Sequence, residues 1–317
     1  MSKKYLVLGA TGSIGYAFTR ELLKQGIETD ILVRNREKAQ KLFHNNPLLN
    51  IHVGDVQDAD MLMDVSAGVD IIFHGVNHPY QYWYKLMKPV TSLVIKAARQ
   101  NRSTILFPGN IYAFGNIDEP IREETVPVPS TKKGQLRFDL DIMLQEAADT
   151  GQCSVINLRL PDFWGPNVTN GLIKPLFGNA ARGKSMTWMV RADVPHQFVY
   201  TPDAARLFYL LSVENHLPPY FVLNYGGKIV PSVAALAKDI SMEAGSPNRL
   251  KLLSKATLRI LGWFVPLVRE LNENIYQFEN CIKLDDTKVR TKYPEFEETR
   301  FDDALRETIN WYRSETD

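Results

Sequence analysis

Residues 5–15, YLVLGATGSIG, decide how the rest of the chain is read. Tyr5 to Leu8 is a short apolar run of the kind that forms a buried parallel strand. Gly9, Gly12 and Gly15 follow at three-residue spacing. An apolar-periodic helix (Ile14, Phe18, Leu22, Leu23) then begins near Ser13 and ends at Gly26. In such a strand–loop–helix the first glycine lets the chain turn sharply, the second lets backbone approach a pyrophosphate, and the third lets the helix pack on the strand. The helix N-terminus adds N–H groups and a partial positive charge. Gly9, Thr11, Gly12, Ser13, Ile14 and Gly15 are therefore the expected phosphate cradle, against the plainer reading of an ordinary strand–turn–helix.

Arg34 directly follows the expected second strand, residues 28–33. A carboxylate at this position binds the ribose 2′-hydroxyl of NAD, whereas an arginine accommodates a 2′-phosphate. Asp30 lies too early, inside the strand. NADP(H) is thus expected over NAD(H), unless Arg34 and Arg36 are only a solvated charge cluster. Further strands are predicted at 51–53, 70–74 and 104–107, each separated from the next by a helical pattern. This alternation predicts a parallel, doubly wound α/β sheet with its ligand beyond the carboxyl ends of the strands. After the fourth strand comes HPYQYWY, residues 78–84, whose aromatics divide between lining a pocket and packing helix on sheet.

Bulk composition narrows the class. The chain has 317 residues, 44% hydrophobic and 23% charged, with a net charge of +1. That argues against disorder and gives no electrostatic case for nucleic acid or an anionic membrane. Only Cys153 and Cys281 are present, which suits a reducing cytoplasm and excludes a disulfide scaffold. The opening MSKKYLVLG leaves no room for a signal peptide. The apolar run 260–268 is far shorter than the roughly 20 residues a membrane span needs. No metal-ligand pattern is evident.

The spacing GATGSIG resembles the extended and atypical short-chain dehydrogenase/reductase superfamily, and the nearest resemblance is to members of its NAD-dependent epimerase/dehydratase family. The resemblance implies a Rossmann fold and places several further residues at the cofactor. Asp55 and Val56 match the adenine contact, although Asp55 also reads as a cap for the helix at 59–66. Gly75, Val76 and Asn77 match the backbone that runs beside the cofactor. Pro161 and Phe163, within RLPDFWGP, match positions near the nicotinamide, and Pro108, a further cofactor candidate, matches the strand-five proline of isoflavone-reductase-like and NmrA-like relatives.

In the catalytic half the sequence departs from that family. Counting back from Gly115, the usual serine falls on Asn110, whose amide still donates to a carbonyl oxygen. The usual Tyr-x-x-x-Lys pair falls on Lys133 and Arg137, which keep the i, i+4 spacing. The resemblance casts Lys133 as the proton donor, as in isoflavone-reductase-like and NmrA-like relatives, and Arg137 as the ribose holder. Tyr112, His78 and His196 are the alternative donors. His78, Tyr80 and His196 are also candidate substrate contacts. His196 stands where nucleotide-sugar enzymes carry a phosphate-clamping arginine, which argues against a nucleotide-diphosphate sugar; Arg191 is a candidate to compensate.

The expected organisation is a Rossmann domain over 1–160, with 195–225 returning to it, and a smaller, mainly α-helical substrate region over 161–194 and 226–317. The stretch 250–271 is amphipathic and reads as a lid, a dimer face or core. The leading functional expectation is a cytoplasmic NADP(H)-dependent oxidoreductase on a small carbonyl or enone substrate. The alternatives are a non-enzymatic NADP(H) redox sensor and an epimerase or dehydratase on a sugar derivative. A small-molecule partner is expected, no nucleic acid and no membrane, with a homodimer left open.

Overall fold

The opening run forms β1 (Tyr5–Leu8), with all four side chains buried. In the computed structural model, which describes residues 3–264 and 266–315, helix α1 (Ser13–Lys24) follows. Met1, Ser2 and Val265, on which the expectations about the opening and the run 260–268 partly rest, lie outside the described residues, as do Thr316 and Asp317. The chain divides into two units.

The first unit comprises Met1–Gly109, Leu136–Arg159 and Ala204–Leu223. In chain order its early elements are β2 (Thr29–Val33), α2 (Arg36–Phe43), β3 (Leu49–Val53), α3 (Ala59–Val65), β4 (Ile71–His74), α4 (Trp83–Asn101) and β5 (Thr104–Asn110). Helix α5 (Lys132–Asp149) and strand β6 (Ser154–Leu160) come next. With β10 (Tyr220–Asn224), numbered here after three intervening strands, these make a seven-stranded sheet ordered β10-β6-β5-β4-β1-β2-β3. The pairs β1–β2, β1–β4, β2–β3 and β4–β5 are parallel. The order turns between β1 and β4, and this is the switch point where such sheets bind ligands. Phe18 of α1 stacks on Phe73 of β4 at 4.7 Å, and Phe73 meets Phe208 edge-on at 5.1 Å. All three rings are fully buried, each contributing about 2–3 kcal/mol of apolar transfer.

The second unit comprises Asn110–Gln135, Leu160–Asp203 and Asn224–Asp317. It is rich in helix but carries two small sheets that the sequence pattern does not announce. Strands β7 (Asp162–Trp164), β9 (His196–Tyr200) and β11 (Lys228–Val230) form one, ordered β11-β9-β7. Strands β8 (Met186–Met189) and β12 (Leu250–Leu253) form the other. Around them lie α6 (Asn179–Ala181), α7 (Thr201–Val213, which continues into the first unit), α8 (Val233–Glu243), α9 (Lys255–Phe264), α10 (Pro266–Leu271), α11 (Thr287–Lys292) and α12 (Phe301–Ser314). Ser232 caps α8 by accepting from the Ala235 N–H at 3.0 Å. The core stacks Trp164 on Phe177 at 5.0 Å, and the buried Tyr312 of α12 donates to the Val168 carbonyl. No described helix is long and apolar enough to cross a membrane.

Candidate active site

In the first unit the site is built from loops leaving adjacent strands. Leu8 and His74 are partners in the β1–β4 register, so the loops at 9–12 and 75–77 run side by side. Gly9 has φ +80°, and a Cβ there would overlap the Gly75 carbonyl oxygen. A Cβ on Gly15 would overlap the Gly9 carbonyl oxygen, and one on Gly12 would lie 3.2 Å from it. The helix ladder starts with the Tyr16 N–H donating to the Gly12 carbonyl at 2.8 Å. The Ile14 and Gly15 amides therefore stand outside that ladder. Backbone closeness and unused donors together make a cradle that fits a pyrophosphate.

Arg34 stands one residue beyond β2, exposed, with no hydrogen-bond partner among the described residues. Burial holds the His78 imidazole below its ordinary value; the Arg34 charge adds to this and Asp55 opposes it. The three groups thus share one electrostatic neighbourhood, and the buried Nε2 of His78 has no partner there. Asp55 accepts from the Gln57 N–H at 2.9 Å. It does not cap α3: Asp58 does, accepting from the Asp60 and Met61 N–H groups at 3.1 Å. Val56 and Val76 are half-buried and Asn77 is exposed. Among the aromatics after β4, Trp83 is buried and donates to the His78 carbonyl at 2.8 Å, with Tyr80 edge-on to it at 4.8 Å. Tyr82 and Tyr84 are exposed.

Arg137 lies buried over the Phe107 ring at 4.9 Å and donates to the Pro108 carbonyl at 2.9 Å. Next to it, burial pushes the His74 imidazole down to about 3, with the Arg137 charge adding to the shift. His74 Nε2 lies 3.0 Å from the Thr91 hydroxyl, while its buried Nδ1 has no partner. One turn along α5, burial raises the Asp141 carboxyl despite Arg159, Arg137 and the Asn157 amide. Sequence reading did not anticipate this polar group, because Asp141 carries no motif.

The second unit holds the remaining expected residues. Asn110 accepts from the Tyr112 N–H at 3.1 Å, which fixes its amide and leaves Nδ2 as a donor. Tyr112 is half-buried. Lys133 is 1% exposed, and its Nζ donates to Glu270 and Glu273 at 2.5 Å each. Its backbone N–H also donates to Glu273, at 3.1 Å. Burial raises the Glu273 carboxyl, but its bonds and charge interaction with Lys133 outweigh that and leave it below its ordinary value. Nothing local in sequence points to these partners, which lie 137 and 140 residues downstream.

His196 Nε2 lies 2.9 Å from Asp162 Oδ2 across the β7–β9 pair, with its ring packed on Phe198 at 4.4 Å. Both His196 and Pro161 are buried; Phe163 is half-buried. Arg191 forks onto Asp193 at 3.0 and 2.8 Å. A cleft of about 760 Å³, lined by Trp164, Tyr225, Lys228, Arg290 and Phe301 among others, contains none of the expected site residues. Among the described residues no group of three or more His, Cys, Asp or Glu could hold a metal ion.

Comparison with known proteins adds what geometry alone does not give. The chain is 22% identical to the UDP-N-acetyl-alpha-D-glucosaminuronate decarboxylase of Bacillus cytotoxicus, over 99% of this chain and 98% of the relative. It is 23% identical to the dTDP-glucose 4,6-dehydratase of Streptomyces niveus, over 98% and 93%. The fold is similar to that of UDP-glucose 4-epimerase from Bifidobacterium longum in complex with NAD+ and UDP, with a TM-score of 0.81 at 17% identity over 99% of both chains. These relatives are named for reactions on nucleotide-linked sugars, and the structural one holds NAD+. They favour the sugar-derivative alternative over the expected small-carbonyl or enone reductase, and they do not carry the expected NADP(H) preference. The family description "NAD dependent epimerase/dehydratase family" matches residues 5–224, more than two thirds of the sequence, and the chain belongs to that family.

Proposed function

We propose that this chain is an enzyme that holds a nicotinamide dinucleotide in its first unit and carries out an epimerase- or dehydratase-type reaction on a sugar derivative. The observation that carries the reading is the glycine cradle, closed against any side chain at Gly9 and Gly15. It lies within the stretch that matches the family. Gly9, Gly12, Ile14 and Gly15 would hold the pyrophosphate, and Asp55 and Val56 the adenine side. When bound, the nicotinamide supplies a hydride acceptor and donor.

The remaining roles fall to this chain's own groups. Asn110 Nδ2 holds the substrate oxygen, and the Tyr112 hydroxyl, two residues on, moves the proton. Lys133 is a positioning residue in this reading, since two of its three donors are committed to Glu270 and Glu273. Arg137 braces the end of β5 through Pro108. Arg34 receives the 2′-phosphate, so NADP(H) binds more tightly than NAD(H).

The first substrates to test are UDP- and dTDP-linked sugars, because full-length relatives bear those names. Product is followed by NMR with catalytic amounts of cofactor. Turnover without net cofactor oxidation is expected, and Tyr112→Phe should lower kcat about 100-fold while leaving dinucleotide affinity intact. Stoichiometric consumption of NADPH by a carbonyl panel would restore the reductase reading. Calorimetry with NADP+ and NAD+ checks Arg34, and Arg34→Asp should reverse the preference.

A further inference from the structure

Between Glu243 and Glu270 the chain carries Arg249, Lys251, Lys255, Arg259 and Arg269 and no carboxylate. The whole-chain charge of +1 conceals this local excess. In the second unit the stretch forms β12 and the pair α9 and α10. Their inner side is well packed. Leu258 and Gly262 are buried, and a Cβ on Gly262 would sit 2.9 Å from Asn272 Nδ2 and 3.1 Å from Arg269 Cα. The Asn272 amide, just after α10, ties that segment to α9 by donating to the Leu258 carbonyl at 3.1 Å. Lys255 pairs with Glu279 at 2.5 Å.

The outer side is the reverse of an ordinary solvent face. On α9, Trp263 and Phe264 are each 77% exposed and Ile260 is 56% exposed. Arg259 is exposed on the same side of α9, one residue before Ile260 and four before Trp263. Adjacent apolar side chains of this size cost free energy in water and mark an interaction surface. Trp and Phe together with Lys and Arg on one short helix are the chemistry of a helix lying in the headgroup region of a bilayer.

We propose that the exposed face of α9 docks this protein on an anionic membrane surface. The aromatic tip Trp263–Phe264 enters the headgroup boundary, and Arg259 pairs with lipid phosphate. The argument for lipid over a protein partner is charge. A carboxylate-free stretch matches a surface that is uniformly negative, and each cation near such a surface adds to attraction. This is peripheral docking and needs no membrane-spanning helix.

The test is co-sedimentation of the full chain with vesicles of phosphatidylcholine alone and of phosphatidylcholine mixed with phosphatidylglycerol. Binding to the mixed vesicles should be at least about tenfold stronger, and should weaken as salt is raised. The double variant Trp263→Ser/Phe264→Ser should lose about tenfold with an unchanged circular dichroism spectrum, because neither side chain supports the core. Arg259→Glu should weaken binding while leaving the tip intact. Absence of binding, equal binding to both vesicle types, or full binding by the double variant would each overturn the proposal. So would concentration-dependent self-association that the double variant abolishes without any vesicle binding, since that assigns the face to a second copy.

Discussion

The phosphate cradle of the first unit is made of backbone over consecutive residues 9–15, whereas the Lys133 clamp of the second is made of side chains separated by 137 and 140 residues. Both present positive charge to oxygen atoms. The cradle does so with amide N–H groups whose positions are fixed by what cannot fit, namely a Cβ at Gly9 or Gly15. The clamp does so with a buried ammonium whose position is fixed by what it binds. One is steric and local, the other electrostatic and distant. They should therefore fail in different ways.

Gly15→Val gives the largest expected effect. The added side chain meets the Gly9 carbonyl, and relieving that overlap should cost about 3 kcal/mol of stability. Dinucleotide affinity should fall by roughly 100-fold or more, because the loop must move off the helix N-terminus. Denaturant titration and calorimetry on the same preparation check both. Undiminished affinity would show that the cradle is not what holds the cofactor.

Lys133→Met should cost somewhat less, about 2–3 kcal/mol by urea unfolding. It takes the ammonium from two carboxylates that are only partly exposed and puts an apolar side chain beside them. Adding Glu270→Gln and Glu273→Gln should restore most of the loss, a rescue that no steric defect would show. Dinucleotide affinity in Lys133→Met should stay near that of the parent chain, since the cradle and the clamp draw on different residues.

The smallest effect concerns pH and sits beside the cradle. His74 titrates near 3 in the folded chain, below its ordinary value of 6.5. The unfolded chain therefore binds a proton that the folded chain refuses between these limits. Stability from this group is complete above about 6.5 and is lost as pH falls toward 3. The loss should reach on the order of 2 kcal/mol between pH 7 and pH 5. His74→Gln should flatten that part of the curve.

What could be read in advance follows the same division. The glycine spacing and the strands at 28–33, 70–74 and 104–107 were legible because each rests on neighbours in sequence. In β9 only His196 was singled out in sequence, and β7 and β11, three residues each, are too short to show alternation. Asp55 resembled a helix cap, yet Asp58, three residues on, makes the bonds, since the turn at Gln57 claims Asp55 first. The pairing of His196 with Asp162 joins two residues that sequence could only mark separately. The exposed tip at Trp263 was not singled out because the amphipathic pattern of 250–271 suits a lid, a dimer face or core alike, and the summed charge of +1 hides the basic excess of that stretch.

The Lys133 clamp also constrains how this sequence can drift. Replacing the lysine alone takes the ammonium from two acids, and replacing either acid alone takes a carboxylate from a buried cation. Each single step goes downhill in fitness before any double or triple step recovers it. Position 133 is thereby ratcheted: a lineage carrying this trio keeps it or exchanges all three members together, and a survey of descendants should find the three residues inherited as one character.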